Sequence, residues 1–237
     1  MTDRAEEQRR LILDQFTRQA VPFAEMPAHS NDEANRLLID LAGIGPADTV
    51  LDVACGPGLI ACALAEVARH VTGLDLTPAM IDQARVRQKA RGLTNLTWLV
   101  GDAVPLRFPN AAFSVVVTRY SFHHFLEPRS VLAEMVRVCR PGGRVAVIDV
   151  FTGNPKQAEA YNRVEKLRDP SHVRALPLEE LLARSFPNPG NAGRIRQTFA
   201  GDVGVDRLGV GAHRRGGAIH FAFPIVALAG RTQPAEA

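Results

Sequence analysis

The stretch VLDVACGPG, residues Val50–Gly58, is an apolar run that ends in two glycines around a proline. A short apolar run bounded by such turn residues predicts a buried β-strand, which we place over Val50–Ala54. Helical spacing of apolar residues follows directly, and a second apolar run comes at His70–Leu76. Strands that alternate with helices in this way favour a parallel sheet with helices on both of its faces.

The alternation of strand and helix continues as far as residue 151. Thr77 and Pro78 suit the first positions of a helix, and Gly92 suits its end. Each predicted strand is apolar along its length, as in sheets that are buried on both faces. The further strands are predicted at 96–100, 113–120 and 144–151, with a helix over 128–139 before the last of them.

The segments on either side of this core show a less regular pattern. Two helices are predicted before the first strand, over 3–18 and 31–42, and an irregular apolar stretch over 19–30 lies between them. Breaker residues become frequent after the last core strand. The predictions there are a helix over 156–168, a short helix over 178–184, a loop over 185–193 and a hairpin that turns near Gly216 and Gly217.

Composition and charge narrow the class of protein. Of 237 residues, 46% are hydrophobic and 22% are charged, as in an ordinary globular chain. No apolar run reaches about 18 residues and the opening MTDRAEEQRR is charged, so we expect a cytoplasmic protein without a membrane span. The net charge is only +3 and the arginines are scattered, which argues against a nucleic-acid partner. The three cysteines lack metal-ligand spacing, so we expect buried thiols and no metal site.

The glycine turn suggests a ligand site at the end of the first strand. Gly56 and Gly58 allow a nucleotide-like ligand to approach the backbone closely, and the helix that follows directs its amide groups there. Asp75 comes 19 residues after Gly56, at the end of the second strand. An acid at about this distance commonly binds a pair of ribose hydroxyls. The alternative is a simple turn with a solvated aspartate.

Two further acids help to identify the nucleotide. The string GPGLIA fits the permissive dinucleotide fingerprint, which is a weak signal on its own. Asp52 lies inside the first strand, where its carboxylate could bind a cationic amino group. Asp102 follows the third strand directly, within Gly101-Asp102-Ala103, where it could accept a hydrogen bond from an adenine amino group.

These strings resemble the class I S-adenosylmethionine (SAM)-dependent methyltransferases, especially the ubiquinone and menaquinone biosynthesis C-methyltransferases. The resemblance covers residues 50–149 almost continuously, through VLDVACGPG, GLDLTPAMIDQAR, GDAVPLRFPNAAFSVVV and SFHHFLEPRSVLAEMVRVCRPGGRVAVID. It implies a Rossmann-like, doubly wound, mostly parallel sheet with helices on both faces and an antiparallel C-terminal strand. Within one domain, residues 1–45 would form N-terminal helices and a lid, 46–152 the SAM-binding core, and 153–237 cap helices and a hairpin that completes the sheet.

The resemblance also implies roles for residues that contact SAM. One group would hold its methionine part, a second its ribose and adenine, and a third would border the sulfonium. In that order the positions are Asp52, Ala54, Gly56 and Gly58; then Asp75, Leu76, Met80, Asp102 and Ala103; then Arg119 through its backbone.

An adjacent histidine pair follows the fourth strand. In related small-molecule methyltransferases this pair lies at the active site, so His124 or His123 is expected to act as a general base. The alternative is that both histidines are structural and cap or pack the next helix. Tyr120 beside them and Phe23 in the N-terminal lid, with Met26 and His29, are expected near the substrate.

A second polar cluster lies after the core, around the break at Pro170. It holds Arg168, Asp169, His172 and Arg174. In similar proteins this region belongs to the cap over the substrate pocket, so His172 and Arg174 are candidates to bind a carboxylate or phenolate. A solvated turn with local ion pairs explains the cluster equally well.

The C-terminal part departs from the family pattern. Residues 184–197 contain no convincing strand where a sixth strand is expected. Either that strand is missing, or the cap is shortened, or residues 206–213 supply it. Pro224 in the last strand favours an edge or a bulge, because proline cannot donate to a ladder.

The sequence therefore predicts an enzyme that transfers a methyl group from SAM to a carbon or oxygen of a small, aromatic or quinone-like acceptor. Phe122, Phe125, Phe151 and Tyr161 would suit a ring, and a homodimer is left open. One alternative is a non-catalytic SAM-binding module or partner subunit with a degenerate cap. An NAD-dependent oxidoreductase fits the acids less well, and an RNA methyltransferase is disfavoured because no appended basic domain is present.

Overall fold

The computed structural model describes residues 3–25, 32–152, 155–177, 213–215, 218–220 and 225–233. Its helices are α1 (Asp3–Glu25), α2 (Asp32–Ala42), α3 (Leu59–Ala65), α4 (Pro78–Ala90), α5 (Pro128–Val138) and α6 (Pro155–Arg168). Its strands are β1 (Thr49–Val53), β2 (His70–Asp75), β3 (Leu96–Val100), β4 (Phe113–Arg119), β5 (Cys139–Thr152), β6 (Leu176–Pro177), β7 (His213–Arg215), β8 (Ala218–His220) and β9 (Ile225–Arg231).

The main sheet is doubly wound, as predicted. Its strand order is β3-β2-β1-β4-β5-β6 with parallel pairs, and β9 pairs with β5 in the antiparallel direction. The chain first builds outward from β1 to β3 and then crosses back to place β4 on the other side of β1. The carboxyl ends of β1 and β4 therefore border a point where the strand order reverses, which is where open α/β sheets bind their ligands.

Apolar residues of the central strands are buried on both faces of the sheet. In β1, Leu51 and Val53 pack into one cluster with residues of α5, while Val50 packs into a second cluster with residues of α3. This division follows from the strand period of two, which sends successive side chains to opposite faces. Asp52 lies among these apolar positions and is only 1% exposed.

Most predicted elements of the core are confirmed with small shifts, but β5 begins at Cys139, five residues before its predicted start at 144. β1 ends at Val53 rather than Ala54, because Ala54 has a left-handed φ of 55°. The helix α4 begins after Thr77 with Pro78 in its first turn, and Gly92 follows its end with a φ of 64°. All three cysteines are buried, as expected.

The first helix is longer than predicted. The irregular stretch expected from residue 19 is helical as far as Glu25, including Pro22. One contact within α1 and one from α4 accompany the extension. Phe23 packs edge-on against Phe16 at a ring-centroid distance of 6.2 Å, and the Arg87 guanidinium of α4 donates to the Ala24 carbonyl oxygen at 2.7 Å. A bond to a carbonyl of the last turn stabilises a helix end that has no partner of its own.

The C-terminal predictions are tested only in part. The predicted antiparallel pairing is confirmed, because β7 and β8 pair on either side of Gly216 and Gly217. These two strands form a separate two-stranded sheet, so among the described residues it is β9, and not this hairpin, that adds an antiparallel strand to the main sheet. The short β6 pairs in parallel with the end of β5. Several predictions fall on residues outside the described part of the chain. They are the helix over 178–184, the loop over 185–193, the absence of a strand at 184–197, a strand supplied by 206–212, and the predictions for Pro224, Met26 and His29. Among the described helices, none has the length and apolar character needed to cross a membrane.

Candidate active site

A cavity of about 580 Å³ opens at the switch point of the sheet. Its floor is formed by the carboxyl ends of β1, β2 and β4, and α1 lies across it. A volume of this size is typical of sites for a cofactor or another small molecule. All of the predicted cofactor positions except Gly58 line this cavity: Asp52, Ala54, Gly56, Asp75, Leu76, Met80, Asp102, Ala103 and Arg119.

The two glycines of the turn have different structural roles. Both have left-handed φ angles, 54° at Gly56 and 73° at Gly58. A Cβ at Gly56 would meet no atom within 4 Å, so this backbone is open to a ligand in the cavity. A Cβ at Gly58 would lie 2.7 Å from the Trp98 ring and 2.9 Å from Ala84 Cβ. Gly58 is therefore required because a side chain there would clash with β3 and α4. At Gly56 the backbone is instead accessible to a ligand.

Asp75 closes the turn from the neighbouring strand. Its Oδ2 accepts a hydrogen bond from the Gly56 backbone N–H at 2.8 Å, and its Oδ1 accepts one from the Thr77 N–H at 2.8 Å. Burial raises the pKa of Asp75 above its usual value, and the two backbone bonds oppose that rise. A carboxylate has about four acceptor positions, so Asp75 can also accept from the hydroxyls of a ribose.

Asp52 carries a buried oxygen, Oδ2, that finds no hydrogen-bond partner among the described residues. Burial raises the pKa of Asp52 to about 7, which Arg119 opposes and Asp75 reinforces. Buried polar groups are rarely left unsatisfied, and an ammonium group in the cavity would supply both the missing partner and the opposite charge. SAM carries such a group on its methionine part, so the residues fit this cofactor.

The opposite end of the cavity is formed by groups suited to adenine. Leu76 and Met80 offer apolar surface, and Asp102 stands at the rim with about half of its side chain exposed. Arg9 of α1 lies 3.8 Å from the Asp102 carboxylate. Exposed pairs of this kind contribute little free energy, so a ligand can replace the contact at small cost.

Arg119 and Tyr120 turn the chain out of β4 above the cavity. Tyr120 has a left-handed φ of 54°, which is uncommon for a residue with a side chain. The Arg119 guanidinium donates to Asn35 Oδ1 at 3.2 Å and lies 5.1 Å from the centre of the Tyr120 ring. Burial lowers the pKa of Arg119 and raises that of Tyr120.

The two adjacent histidines occupy different environments. His123 Nδ1 lies 2.6 Å from Asp149 Oδ1, and its backbone N–H donates to Asp149 Oδ2 at 3.0 Å, which fixes it at the end of β5. His124 lines the cavity and is 7% exposed. The Phe16 and His124 rings pack edge to face, with ring centroids 5.1 Å apart. Of the two candidates for the base, only His124 belongs to the cavity wall.

Helix α1 supplies wall residues that the sequence analysis missed. Gln8, Ile12 and Phe16 line the cavity together with the predicted Phe23. Gln8, Ile12 and Phe16 are spaced four residues apart, which places them on one face of the helix, and this spacing is visible in the sequence. The Gln8 side-chain amide donates to the carbonyl oxygens of His124 at 2.9 Å and Ser171 at 2.6 Å.

Two of the predicted substrate residues lie away from this cavity. His172 is 2% exposed, and its Nε2 lies 2.8 Å from Asn162 Oδ1. Arg174 is exposed and lines a smaller neighbouring cavity of about 300 Å³. Tyr120 and Phe23, the other two, do line the large cavity. Within the described part of the chain, no cluster of His, Cys, Asp and Glu could hold a metal ion.

The predicted ring pocket is only partly assembled. Phe125 lines the large cavity. Phe122 is buried in the core cluster, and Phe151 packs against that cluster. Tyr161 packs beside His172, with ring centroids 6.0 Å apart. The aromatic surface of the cavity comes instead from Phe16, Phe23, Tyr120 and Phe125.

Comparison with known proteins places the chain among methyltransferases. A family model described as a methyltransferase domain matches residues 51–147. The uncharacterized methyltransferase YcgJ of Bacillus subtilis is 31% identical over 174 residues, which are 73% of this chain and 69% of that protein. Its crystal structure superposes with a TM-score of 0.70 at 25% identity, and covers 86% of this chain and 100% of that one. Demethylmenaquinone methyltransferase of Thermus thermophilus is 38% identical over 125 residues, 52% of this chain and 56% of that protein.

Proposed function

The chain belongs to the class I SAM-dependent methyltransferases, and we propose that it methylates a carbon or oxygen of a small aromatic or quinone-like molecule. Its cofactor is SAM. The observation that carries the proposed acceptor class is the apolar end of the cavity, where a buried histidine stands among aromatic side chains. Ile12, Phe16 and Phe125 face the same space as His124.

The cofactor side of the cavity leaves the acceptor a defined place. We assign the ammonium group of SAM to Asp52, its ribose to Asp75 and its adenine to the space beside Asp102. These carboxylates stand at the ends of neighbouring strands and all line the cavity. The acceptor then lies on the remaining side, between α1 and residues 120–126. Aromatic surface there favours a planar ring through stacking and edge contacts.

The reaction requires the enzyme to align two groups and to remove one proton. When bound, SAM would supply an electrophilic methyl carbon to the acceptor oxygen or ring carbon, and the electron pair of the broken carbon–sulfur bond would stay on the sulfur of the S-adenosylhomocysteine product. A phenol or hydroquinone becomes a strong nucleophile only when its hydroxyl proton is removed. We assign that proton to His124, because imidazole accepts protons near neutral pH. Apolar walls keep water away from the reacting groups.

One named relative supports a quinone-type acceptor. Demethylmenaquinone methyltransferase acts, by its name, on a quinone with an aromatic ring system, and 38% identity over 125 residues is substantial. The match spans little more than half of that protein. The relative therefore suggests which acceptors to try first and does not identify the acceptor of this chain.

The proposal is tested by methyl transfer from methyl-labelled SAM to a panel of acceptors. The panel contains a prenylated 1,4-naphthohydroquinone, a catechol, an aliphatic alcohol and an aliphatic carboxylic acid. We expect label in the hydroquinone or the catechol and none in the aliphatic compounds. Turnover of an aliphatic compound alone would overturn the acceptor class. S-adenosylhomocysteine binding without transfer to any member would favour the non-catalytic alternative.

The role of the base is tested by two alanine variants of adjacent residues. His124→Ala should lower kcat by about 100-fold, within the range for loss of a general base, with S-adenosylhomocysteine affinity unchanged. His123→Ala is the matched control, because His123 does not line the cavity. A larger loss of kcat in His123→Ala than in His124→Ala would contradict the assignment.

A further inference from the structure

We propose that Asp169, acting through Ser171, positions His124 and fixes the ring nitrogen on which it accepts a proton. This inference rests on the proposed function of His124. Asp169 lies in the turn after α6 and does not line the cavity. It is therefore a positioning residue rather than a catalytic one.

Asp169 holds Ser171 through two hydrogen bonds to one oxygen. The Ser171 backbone N–H donates to Asp169 Oδ1 at 2.9 Å, and the Ser171 hydroxyl lies 2.6 Å from the same atom. Asp169 is 2% exposed and Ser171 is fully buried. The Ser171 hydroxyl donates to this oxygen, so its proton points at Asp169.

This arrangement determines the tautomer of His124. Its Nδ1 lies 3.2 Å from the Ser171 carbonyl oxygen and 3.2 Å from the Ser171 hydroxyl oxygen. The carbonyl is an acceptor, and the hydroxyl offers a lone pair because its proton is given to Asp169. Nδ1 therefore carries the ring proton and donates it. In the neutral ring Nε2 then has a lone pair and can accept the proton of an acceptor hydroxyl.

The second carboxylate oxygen of Asp169 can stabilise the positive charge of the protonated His124 ring. Asp169 Oδ2 lies 3.9 Å from His124 Nε2. When His124 takes up a proton, this carboxylate is a buried opposite charge close to it. The other described aromatic groups in contact with the ring are His123, His172 and Phe16, with ring centroids 4.2, 6.4 and 5.1 Å away. Asp169 is thus an acidic group within ion-pair distance of His124, whereas Asp149 binds His123.

The tautomer can be measured without knowledge of the acceptor. Two-bond ¹H–¹⁵N correlation spectra of the ¹⁵N-histidine-labelled protein distinguish the Nδ1–H and Nε2–H forms, and His124→Ala identifies the signal. We expect His124 as the Nδ1–H form in the wild type and as a mixture in Asp169→Ala. In the matched control Asp149→Ala, the Nδ1–H form of His124 should persist. An Nε2–H form in the wild type, or an unchanged Nδ1–H form in Asp169→Ala, would overturn the proposal.

Kinetics test whether Asp169 acts through His124. Asp169→Asn preserves the shape and an acceptor for Ser171 but removes the charge. We expect a decrease of about 10-fold in kcat on the hydroquinone or catechol that the wild type methylates, with an unchanged KM for SAM, and no further decrease when combined with His124→Ala. If the losses of kcat in the two single variants multiplied in the double variant, the link between Asp169 and His124 would be contradicted. Absence of turnover in the wild type would count against the proposed function alone, because the tautomer measurement stands independently.

Discussion

The two walls of the cavity are built in different ways. The cofactor wall consists of Asp52, Gly56 and Asp75, which lie within a short stretch of chain at the ends of adjacent strands. The acceptor wall consists of α1 residues together with Tyr120, Ser121, His124, Phe125 and Leu126, and the turn at Ser171 lies behind it. Gln8 of α1 connects these parts by hydrogen bonds to His124 and Ser171, which lie 116 and 163 positions further along the sequence. One wall follows from local strand-and-turn geometry, and the other exists only when α1 docks.

The walls also differ in how their polar groups are satisfied. The cofactor wall holds a buried oxygen of Asp52 that has no partner among the described residues, and it includes the left-handed Ala54. Such costs are typical of sites prepared for a ligand. At and behind the acceptor wall, Gln8, Ser171 and Asp169 bond one another or the backbone near His124. We infer that ligand binding repays the cost in the first wall and that helix docking assembles the second.

The largest expected effect comes from removing the carboxylate that closes the cofactor wall. Asp75→Ala deletes the acceptor for the Gly56 and Thr77 N–H groups and the group assigned to the ribose. Loss of charged hydrogen bonds of this kind costs about 3 kcal/mol, equivalent to about 100-fold in affinity. Calorimetric titration with S-adenosylhomocysteine should show a loss of at least this size.

The control for this prediction is Asp82→Ala on α4. Asp82 is exposed and pairs only with Arg85 among the contacts described, so its loss should leave the affinity for S-adenosylhomocysteine unchanged. If Asp75→Ala bound S-adenosylhomocysteine as tightly as Asp82→Ala, the ribose assignment would be wrong. The cofactor wall would then not depend on its acids.

The contrast between the walls explains how far sequence reasoning reached. The cofactor wall could be predicted because a strand, a glycine turn and an acid 19 residues later are local signals, and all of these residues except Gly58 line the cavity. Gly58 stands apart because it does not line the cavity, and the atoms that a Cβ there would meet belong to Trp98 and Ala84, which lie distant in sequence. Ser171 and Gln8 were missed for the same reason: their partners are set by tertiary packing.

A smaller effect is expected from the buried acid of the cofactor wall. The pKa of Asp52 is about 7 in the folded protein, so its carboxyl is largely neutral below that pH. An ammonium ligand requires the carboxylate, so S-adenosylhomocysteine affinity should rise with pH up to about 7, by up to about tenfold per pH unit. Asp52→Asn should abolish this dependence and weaken binding by about tenfold at pH 8. An unchanged pH dependence in Asp52→Asn would contradict the ammonium assignment.

As pH rises, the free energy of unfolding of the ligand-free protein should fall, whereas its affinity for S-adenosylhomocysteine should rise. Because burial raises the pKa of Asp52 above the unfolded value of 3.8, the folded chain holds a proton that the unfolded chain has lost between about pH 4 and 7. The free energy of unfolding therefore falls as pH rises through that window. Thermal unfolding without ligand should show Asp52→Asn more stable than wild type at pH 8, with a smaller difference at pH 5. Equal melting temperatures at pH 8 would show that the buried charge is not costly.

The smallest effect is expected from removing the hydrogen bonds that attach α1 to the rest of the acceptor wall. Gln8→Ala removes two hydrogen bonds from α1 to the carbonyl oxygens of His124 and Ser171, each contributing about 1 kcal/mol. We expect amide hydrogen exchange in α1 to accelerate by about 10-fold and kcat/KM for the acceptor to decrease several-fold. S-adenosylhomocysteine affinity should change less than twofold, because Asp52, Gly56 and Asp75 are untouched.

A matched control for this helix is Thr17→Ala, because Thr17 is exposed on α1 and does not line the cavity. Protection of α1 should remain near the wild-type level in that variant. If Gln8→Ala weakened S-adenosylhomocysteine binding as strongly as Asp52→Asn does, α1 would have to count as part of the cofactor wall. The two walls could then no longer be treated as separately built. A selective loss on the acceptor side would instead mean that docking of α1 completes the place where the methyl acceptor binds.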